Sequence, residues 1–142
     1  MASLRIFVCA MFSIGFYQTA AALEIRCPAN LMETPGVVSP DPLWTIAATT
    51  GERPLDSVGV YWGSTDQRGA QVPDDTQKKK SLETMTWQLP KADGGHYWVG
   101  CSYTNTTAML YQKIAPTYSR CTATYTLLPS GRRLRLAAML CQ

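Results

Sequence analysis

Four cysteines carry the clearest chemistry in this sequence. Cys27, Cys101, Cys121 and Cys141 remain once Cys9, which lies in an apolar N-terminal segment, is set aside. They form no C-x-x-C pair, and the chain has a single histidine, so their spacing does not favour a zinc site. An even number of separated cysteines in an exported protein instead indicates two disulfide bonds.

The N-terminal segment has the features of a signal peptide. Arg5 precedes an apolar run over residues 6–17, and alanines occupy positions 20–22. Small residues at these positions suit cleavage before Leu23. The run is shorter than the roughly 20 residues that span a bilayer, which argues against an uncleaved membrane anchor. We expect a signal peptide over residues 1–22, a single β-domain over 23–142, a periplasmic or secreted location and no membrane attachment after cleavage.

No arrangement of residues indicates an enzyme. Nucleophilic catalysis needs a base beside the nucleophile, but His96 is the only histidine and no serine lies in a G-x-S-x-G motif. Asp74 and Asp75 are not followed by further ligands at the spacing of a calcium loop. We therefore predict no catalytic residues, no cofactor and no metal.

The charge of the chain does not select a nucleic acid or a membrane surface as a partner. The formal net charge is +3 over 142 residues. Without Arg5 it falls to about +2, which is too weak to attract a polyanion. We predict no nucleic-acid partner.

Alternation of apolar and polar residues predicts strands along the mature chain. Between residues 121 and 127, threonine takes every second position, so Cys121, Ala123, Tyr125 and Leu127 are expected to face a core. Similar short runs recur between prolines and glycines, and no helical period appears. The predicted strands cover residues 23–27, 43–49, 58–63, 84–89, 96–103, 108–114 and 120–128, with a last strand after a turn at 129–131. The pattern predicts an all-β fold, an antiparallel β-sandwich or small barrel of about eight strands, tied by disulfides.

The remaining segments are predicted to be connections. Residues 29–42 and 64–81 are expected to form loops, residues 51–56 a turn, and residues 91–95 a turn that joins two hairpin strands. In the last strand, the leucine spacing predicts a core-facing set, with two arginines on the opposite face. The core-facing set is Leu134, Leu136, Ala138 and Leu140, and the outward arginines are Arg133 and Arg135.

Four cysteines allow three disulfide pairings. If strands 96–103, 108–114 and 120–128 form a meander, Cys101 and Cys121 lie two strands apart, about 9–10 Å, which exceeds disulfide reach. The last hairpin brings Cys141 near Cys121, although the leucine spacing places Cys141 on the opposite face. Either a β-bulge or fraying of the strand at its end would resolve that conflict. We therefore favour Cys121–Cys141 together with Cys27–Cys101.

Two groups of residues are candidates for contact with a partner protein. Tyr61, His96 and Trp98 lie on strand faces opposite the predicted core, and aromatic residues make good anchors in protein interfaces. Lys78, Lys79 and Lys80 form a basic run suited to an acidic partner. Ordinary sheet packing for the aromatics and a solvated loop for the lysines are the alternative interpretations.

Several short motifs together resemble a known family. They are an early Cys-Pro at Cys27-Pro28, a tryptophan strand at Trp87, Tyr97-Trp98, Cys-x-Tyr at Cys101 and Tyr103, and a later cysteine at Cys121. The pattern resembles an uncharacterised family of small exported bacterial β-proteins, and it covers most of the mature chain. The resemblance implies a periplasmic or secreted bacterial β-protein, and it assigns no catalytic residue.

These observations support two hypotheses about function. A small disulfide-tied β-domain without a catalytic set favours a protein-binding module. In a bacterial periplasm, this indicates an inhibitor or immunity protein directed at a cell-wall-degrading enzyme or toxin, so the expected partner is a hydrolase or toxin. The second hypothesis is a small-ligand carrier or periplasmic enzyme that uses a barrel mouth near Trp62, His96 and Trp98.

Overall fold

A computed structural model describes residues 21–33, 51–64, 67–91 and 95–142 of the chain. The strands within these ranges are β1 (Leu23–Glu24), β2 (Asn30–Glu33), β3 (Gly51–Gly63), β4 (Arg68–Ala70), β5 (Asp75–Lys79), β6 (Leu82–Gln88), β7 (His96–Tyr103), β8 (Met109–Lys113), β9 (Arg120–Leu127) and β10 (Arg133–Cys141). In this part of the chain, no helix is long and apolar enough to cross a membrane. The predicted strand at 43–49 and the signal peptide up to residue 20 lie outside the described residues.

The strands form two antiparallel sheets whose inner faces pack together. The first sheet has the order β1-β10-β9-β6-β5, and the second has β2-β3-β7-β8, with β4 also paired to β3. The core combines Trp87, Tyr125 and Met139 from the first sheet with Val60 and Val99 from the second. The predicted all-β, disulfide-tied fold is therefore confirmed.

One buried hydroxyl links the two sheets across this core. Tyr125 on β9 is 1% exposed; its hydroxyl accepts a hydrogen bond from Val58 N at 2.8 Å and donates one to Val58 O at 3.2 Å. β2 pairs with β3 at residues 51–54 and β4 pairs with it at residues 61–63, so Val58 lies between these two neighbours. The Tyr125 hydroxyl thus satisfies both backbone groups of Val58, as a neighbouring strand would.

Two disulfides tie the strands, and they are the pairs that the sequence favoured. Cys27, just after β1, bonds to Cys101 on β7 and so joins the edge of the first sheet to the second sheet. Cys121 and Cys141 face each other on the adjacent strands β9 and β10, with their Cα atoms 4.1 Å apart. This short separation is characteristic of a non-hydrogen-bonded antiparallel pair.

A β-bulge brings Cys141 to the core face of β10. Leu136 lies opposite Tyr125 and Ala138 lies opposite Thr124, so the register shifts by one residue between them. After this shift, Met139 and Cys141 are fully buried. Of the two explanations for the parity conflict, a bulge or a frayed strand end, the bulge is the one present.

The bulges also change which side chains of β10 reach the core. The predicted core face was wrong for Leu134 and Leu140, which are 59% and 41% exposed, and for Ala138, which lies opposite the outward-facing Thr124. Leu136 packs against the core as predicted. The sequence prediction assumed one uninterrupted alternation, whereas a second register shift separates Arg133 from Arg135.

Arg133 is accordingly directed inward rather than outward. Its Nε donates a hydrogen bond to the Glu83 carboxylate, and its guanidinium lies 4.5 Å from the centroid of the Tyr125 ring. Glu83 is only 5% exposed, and Lys78 Nζ approaches it at 3.6 Å. The hydrogen bond from Arg133 is the main cause that lowers the pKa of Glu83 below its usual value, against the opposing effect of burial.

Two of the connections that cross between the sheets contradict the sequence prediction. β6 belongs to the first sheet and β7 to the second, so residues 91–95 do not close a hairpin. β8 and β9 also lie in different sheets, so the meander assumed in the disulfide argument was wrong although the favoured pairs are present. Alternation indicates which face of a strand is buried but not which sheet contains the strand.

Three segments predicted as loops or turns contain strands. β2 lies within 29–42, the first half of β3 replaces the turn at 51–56, and β4 and β5 lie within 64–81. β5 is exposed along its whole length, so it has no apolar alternation to reveal it. Lys78 and Lys79 belong to β5 at the edge of the first sheet, and Lys80 takes a positive φ of 56° in the turn that follows. Lysines on an edge strand discourage pairing with other chains.

Replacing both Cys27 and Cys101 by alanine removes the covalent link between the sheets. Because this disulfide has a sequence separation of 74, we expect the variant to lose about 4 kcal/mol of unfolding free energy, chiefly through greater freedom of the unfolded chain. Urea denaturation at pH 7 measures the difference from the wild type. A loss below about 1 kcal/mol would contradict the stabilisation expected from a disulfide that closes a loop of this length.

Glu83→Gln tests the buried carboxylate. The folded-state pKa of Glu83 is lowered, so its stabilising contribution is present above the unfolded pKa, about 4.3, and is lost as the pH falls through the folded value. We expect the variant to be less stable than the wild type at pH 7, with the difference shrinking as the pH falls below about 4. Urea denaturation at several pH values measures this. Glu52→Gln, at an exposed position, is the control; parallel pH profiles for Glu83→Gln and the wild type would refute the assignment.

Candidate functional site

The outer face of the second sheet gathers a cluster of aromatic side chains. Tyr61 on β3 lies directly opposite Trp98 on β7, and Tyr111 on β8 lies opposite Gly100, two residues further along β7. Arg68 on β4 extends over two of these rings. We call Tyr61, Arg68, Trp98 and Tyr111 the aromatic face; all four side chains are half-buried.

The missing side chain of Gly100 allows the tyrosine rings to lie close to the sheet. Gly59 and Gly100 are paired across β3 and β7. A Cβ atom on Gly100 would lie 2.5 Å from Cε2 of Tyr61 and 2.9 Å from Cε1 of Tyr111, closer than such atoms approach. The two rings meet edge to face, with centroids 5.2 Å apart, an arrangement that aromatic pairs prefer. The missing side chain at position 100 is therefore part of how the face is built.

Arg68 is held against the face by two rings. Its guanidinium carbon lies 4.8 Å from the Trp98 ring centroid and 4.2 Å from that of Tyr111, within the range of a cation–π interaction. Gly63, with a φ of 137°, makes the bend between β3 and β4, because a Cβ there would collide with the carbonyl of Gln67. Trp98 Nε1 donates to Gly63 O at 3.1 Å, so the bend and the indole fix each other.

The aromatic face carries two tyrosine hydroxyls, those of Tyr61 and Tyr111. Burial is the main cause that raises the pKa of Tyr61, with a smaller contribution from Tyr111. The Tyr61 and Tyr111 hydroxyls point to the Met109 sulfur at 3.9 and 3.2 Å. A methionine sulfur is a weak acceptor, so the Tyr111 hydroxyl keeps the capacity for a stronger hydrogen bond with a bound protein, whereas Ser102 engages the Tyr61 hydroxyl.

The structure brings part of the predicted contact set together. Tyr61 and Trp98 are neighbours in the aromatic face, and the exposed ring of His96 lies 6.5 Å from Trp98. Lys78, Lys79 and Lys80 lie elsewhere, in and after the edge strand of the other sheet. The sequence did not predict Arg68 as a contact residue, because Arg68 lies in a segment that was predicted to be a loop. It did not predict Tyr111 either, because the side of the strand on which Tyr111 lies was not assigned. The alternation of Tyr111 with Leu110 and Gln112 in β8 was the signal available.

The predicted barrel mouth is not formed by the three residues proposed for it. Trp62 packs inward against Tyr97, with ring centroids 4.6 Å apart, and both line a cavity of about 430 Å³ that His96 also borders. Trp98 lies on the opposite side of the sheet, so it does not reach this cavity. Among the described residues, no group of three or more His, Cys, Asp or Glu side chains is placed to hold a metal ion.

Comparison with known proteins identifies the family of this chain. The sequence model described as "Type VI secretion system Tli immunity protein" matches residues 50–142, more than half of the chain. The chain belongs to the Tli immunity protein family. The match begins one residue before β3 and therefore contains the whole aromatic face, whereas Cys27 lies outside it. No curated protein and no solved structure matched the chain significantly.

Membership of the Tli immunity protein family confirms two predictions. The resemblance to small bacterial β-proteins is confirmed, and so is the prediction of an immunity protein. The two disulfides of this Tli immunity protein indicate an oxidising compartment.

Gly100→Ala tests how the aromatic face is built. The added methyl group must push the Tyr61 and Tyr111 rings away from the sheet, so we expect a changed near-ultraviolet circular dichroism spectrum and a loss of about 1–3 kcal/mol in unfolding free energy. Gly69→Ala is the matched control, because its Cβ meets nothing nearer than 3.9 Å. Identical spectra and stabilities for Gly100→Ala and the wild type would contradict the packing described.

Proposed function

We propose that this Tli immunity protein neutralises an effector toxin by binding it through the aromatic face. The protein acts after export, with residues 1–22 as a cleaved signal peptide and 23–142 as a single periplasmic domain. It forms a stoichiometric complex with the toxin and performs no catalytic step. The toxin is a hydrolase whose substrate lies in the cell envelope, because an exported immunity protein protects only where the toxin acts.

The composition of the aromatic face is the observation that carries this proposal. Tyrosine, tryptophan and arginine are the residues most enriched among those that dominate protein–protein binding energy. Here they occupy neighbouring positions on three adjacent strands and the short β4, rather than on a loop. Their rings are already held by Gly63, Gly100 and each other. A preordered surface loses less side-chain entropy on binding.

The outer face of the first sheet offers a poorer surface for a partner. Its centre consists of half-buried threonines on β6 and β9. They are Thr84, Thr86, Thr122, Thr124 and Thr126. Threonine is under-represented among residues that dominate binding energy. The outer face of the first sheet therefore lacks the residue types that favour strong binding of a toxin, and the aromatic face has them.

The predicted contacts at His96 and at the lysine run are extensions of this surface. His96 borders the aromatic face beside Trp98 and is proposed as a peripheral contact. Lys78, Lys79 and Lys80 are proposed only as a second contact, because Lys78 also interacts with Glu83 and the run protects an edge strand. Substitution of Lys79 and Lys80 by glutamine, which leaves the Glu83 pair in place, measures their share of toxin binding.

Trp98→Ala tests the proposed surface. In a bacterial competition, the parent strain attacks a recipient that lacks this gene and expresses either the wild-type full chain or the variant. We expect the variant recipient to lose protection, because truncating a central aromatic anchor weakens binding by about 30-fold or more. Immunoblotting of the periplasmic fraction verifies equal amounts of folded protein.

Thr124→Ala is the matched control on the outer face of the first sheet, and its recipient should survive as the wild type does. Full protection by Trp98→Ala would refute the aromatic face as the toxin-binding surface. Affinity purification under non-reducing conditions supplies the toxin for direct binding measurements. A captured toxin without hydrolytic activity would refute the proposed class of toxin while leaving the binding surface intact.

A further inference from the structure

We propose that Arg68 receives a carboxylate group of the toxin at the centre of the aromatic face. This inference rests on the proposed function and specifies the chemistry of the partner. It concerns a side chain that the family match does not single out. An acidic side chain of the toxin would lie over the face, with its oxygens accepting hydrogen bonds from the guanidinium.

The guanidinium is oriented before any partner arrives. It lies against the rings of Trp98 and Tyr111, and Trp98 is itself held by its hydrogen bond to Gly63 O. Stacking on aromatic rings leaves the edge of the planar guanidinium free to donate. An arginine fixed in this way loses less conformational freedom when it binds than one extended into solvent.

Arg68 has unused hydrogen-bonding capacity. Its Nε is buried without a hydrogen-bond partner, and no carboxylate in the described part of the chain forms an ion pair with it. A buried charged donor without a partner is unfavourable. The guanidinium is a five-donor group, so a carboxylate can engage its outer nitrogens and balance its charge, although the buried Nε stays unpaired.

Among the described residues, β4 and the strands β7 and β8 favour an anion over a cation at Arg68. β4, β7 and β8 contain no aspartate or glutamate. Lys113 lies directly opposite Trp98 in the β7–β8 pairing, and His96 lies next to Trp98. The aromatic rings keep water from part of the guanidinium, which strengthens its interaction with an opposite charge. A toxin carboxylate would complement the positive charge around Arg68. It would also fit the planar donors of arginine, which form bidentate pairs with carboxylates.

Calorimetric titration of the toxin, captured as described and purified, tests this proposal. The immunity protein is used as the mature wild type or as the variants Arg68→Gln and Arg68→Lys, each at low and at high salt. We expect Arg68→Gln to weaken binding by about 30-fold or more and to reduce the salt dependence of the affinity. Arg68→Lys keeps the charge but loses the planar donors, so we expect it to recover only part of the affinity.

Arg135→Gln is the matched control, because Arg135 is exposed on the outer side of the first sheet, opposite Thr126. Its affinity should equal that of the wild type. The toxin's aspartates and glutamates are then neutralised one at a time and combined with Arg68→Gln. One of these substitutions should weaken binding to the wild type but have little further effect on Arg68→Gln.

The outcomes separate this inference from the proposed function. If Trp98→Ala abolishes binding while Arg68→Gln binds as the wild type does, the aromatic face is the toxin-binding surface and the carboxylate site is refuted. If neither variant changes binding, both proposals fail. If Arg68→Gln weakens binding but no toxin carboxylate is coupled to it, Arg68 only orders the aromatic rings, and the carboxylate partner is refuted.

Discussion

The contact between Tyr125 and Val58 is the constraint on which the arrangement of the two sheets rests. A single hydroxyl satisfies both backbone groups of Val58 in the middle of β3. Without it, a buried N–H and a buried C=O would lack partners, which is unfavourable in a core. The position of β3 relative to the first sheet is therefore fixed at Val58. Because Tyr61 follows Val58 by three residues on the same strand, this inward contact also determines where the outward aromatic face lies.

The elements with a buried face were predictable from the sequence, and the exposed ones were not. In β9, the threonine alternation gave the buried residues Cys121, Ala123 and Tyr125, whereas Leu127, predicted with them, is only partly buried at the end of the strand. In β10, the conflict between the leucine spacing and the position of Cys141 indicated a bulge or a frayed strand end, although not the inward turn of Arg133. β5 lies at a sheet edge with every residue exposed, so hydrophobic periodicity carries no information about it.

The candidate site was only partly predictable for a related reason. Tyr61, His96 and Trp98 were identified because they alternate with core residues on recognised strands. Arg68 belongs to the three-residue strand β4, which depends on the bend at Gly63, and its meeting with Tyr111 depends on the order of four strands in the sheet. Pairing across strands distant in sequence is a property of topology, and a pattern confined to one strand does not contain it.

Successive residues of β7 alternate between the core and the outer face of the sheet. Val99 and Cys101 are buried in the core, while Trp98 and Gly100 face the outer side of the sheet, where the rings of Tyr61 and Tyr111 cover Gly100. Substitutions at the outer positions leave the core volume unchanged, because neighbouring side chains of a strand point to opposite sides. The proposed toxin-binding surface can therefore vary at positions such as Trp98 without a change to the core, whereas Gly100 must stay small because the rings of Tyr61 and Tyr111 cover it. A few substitutions on one side of the sheet would then be enough to match a toxin whose own binding surface has changed.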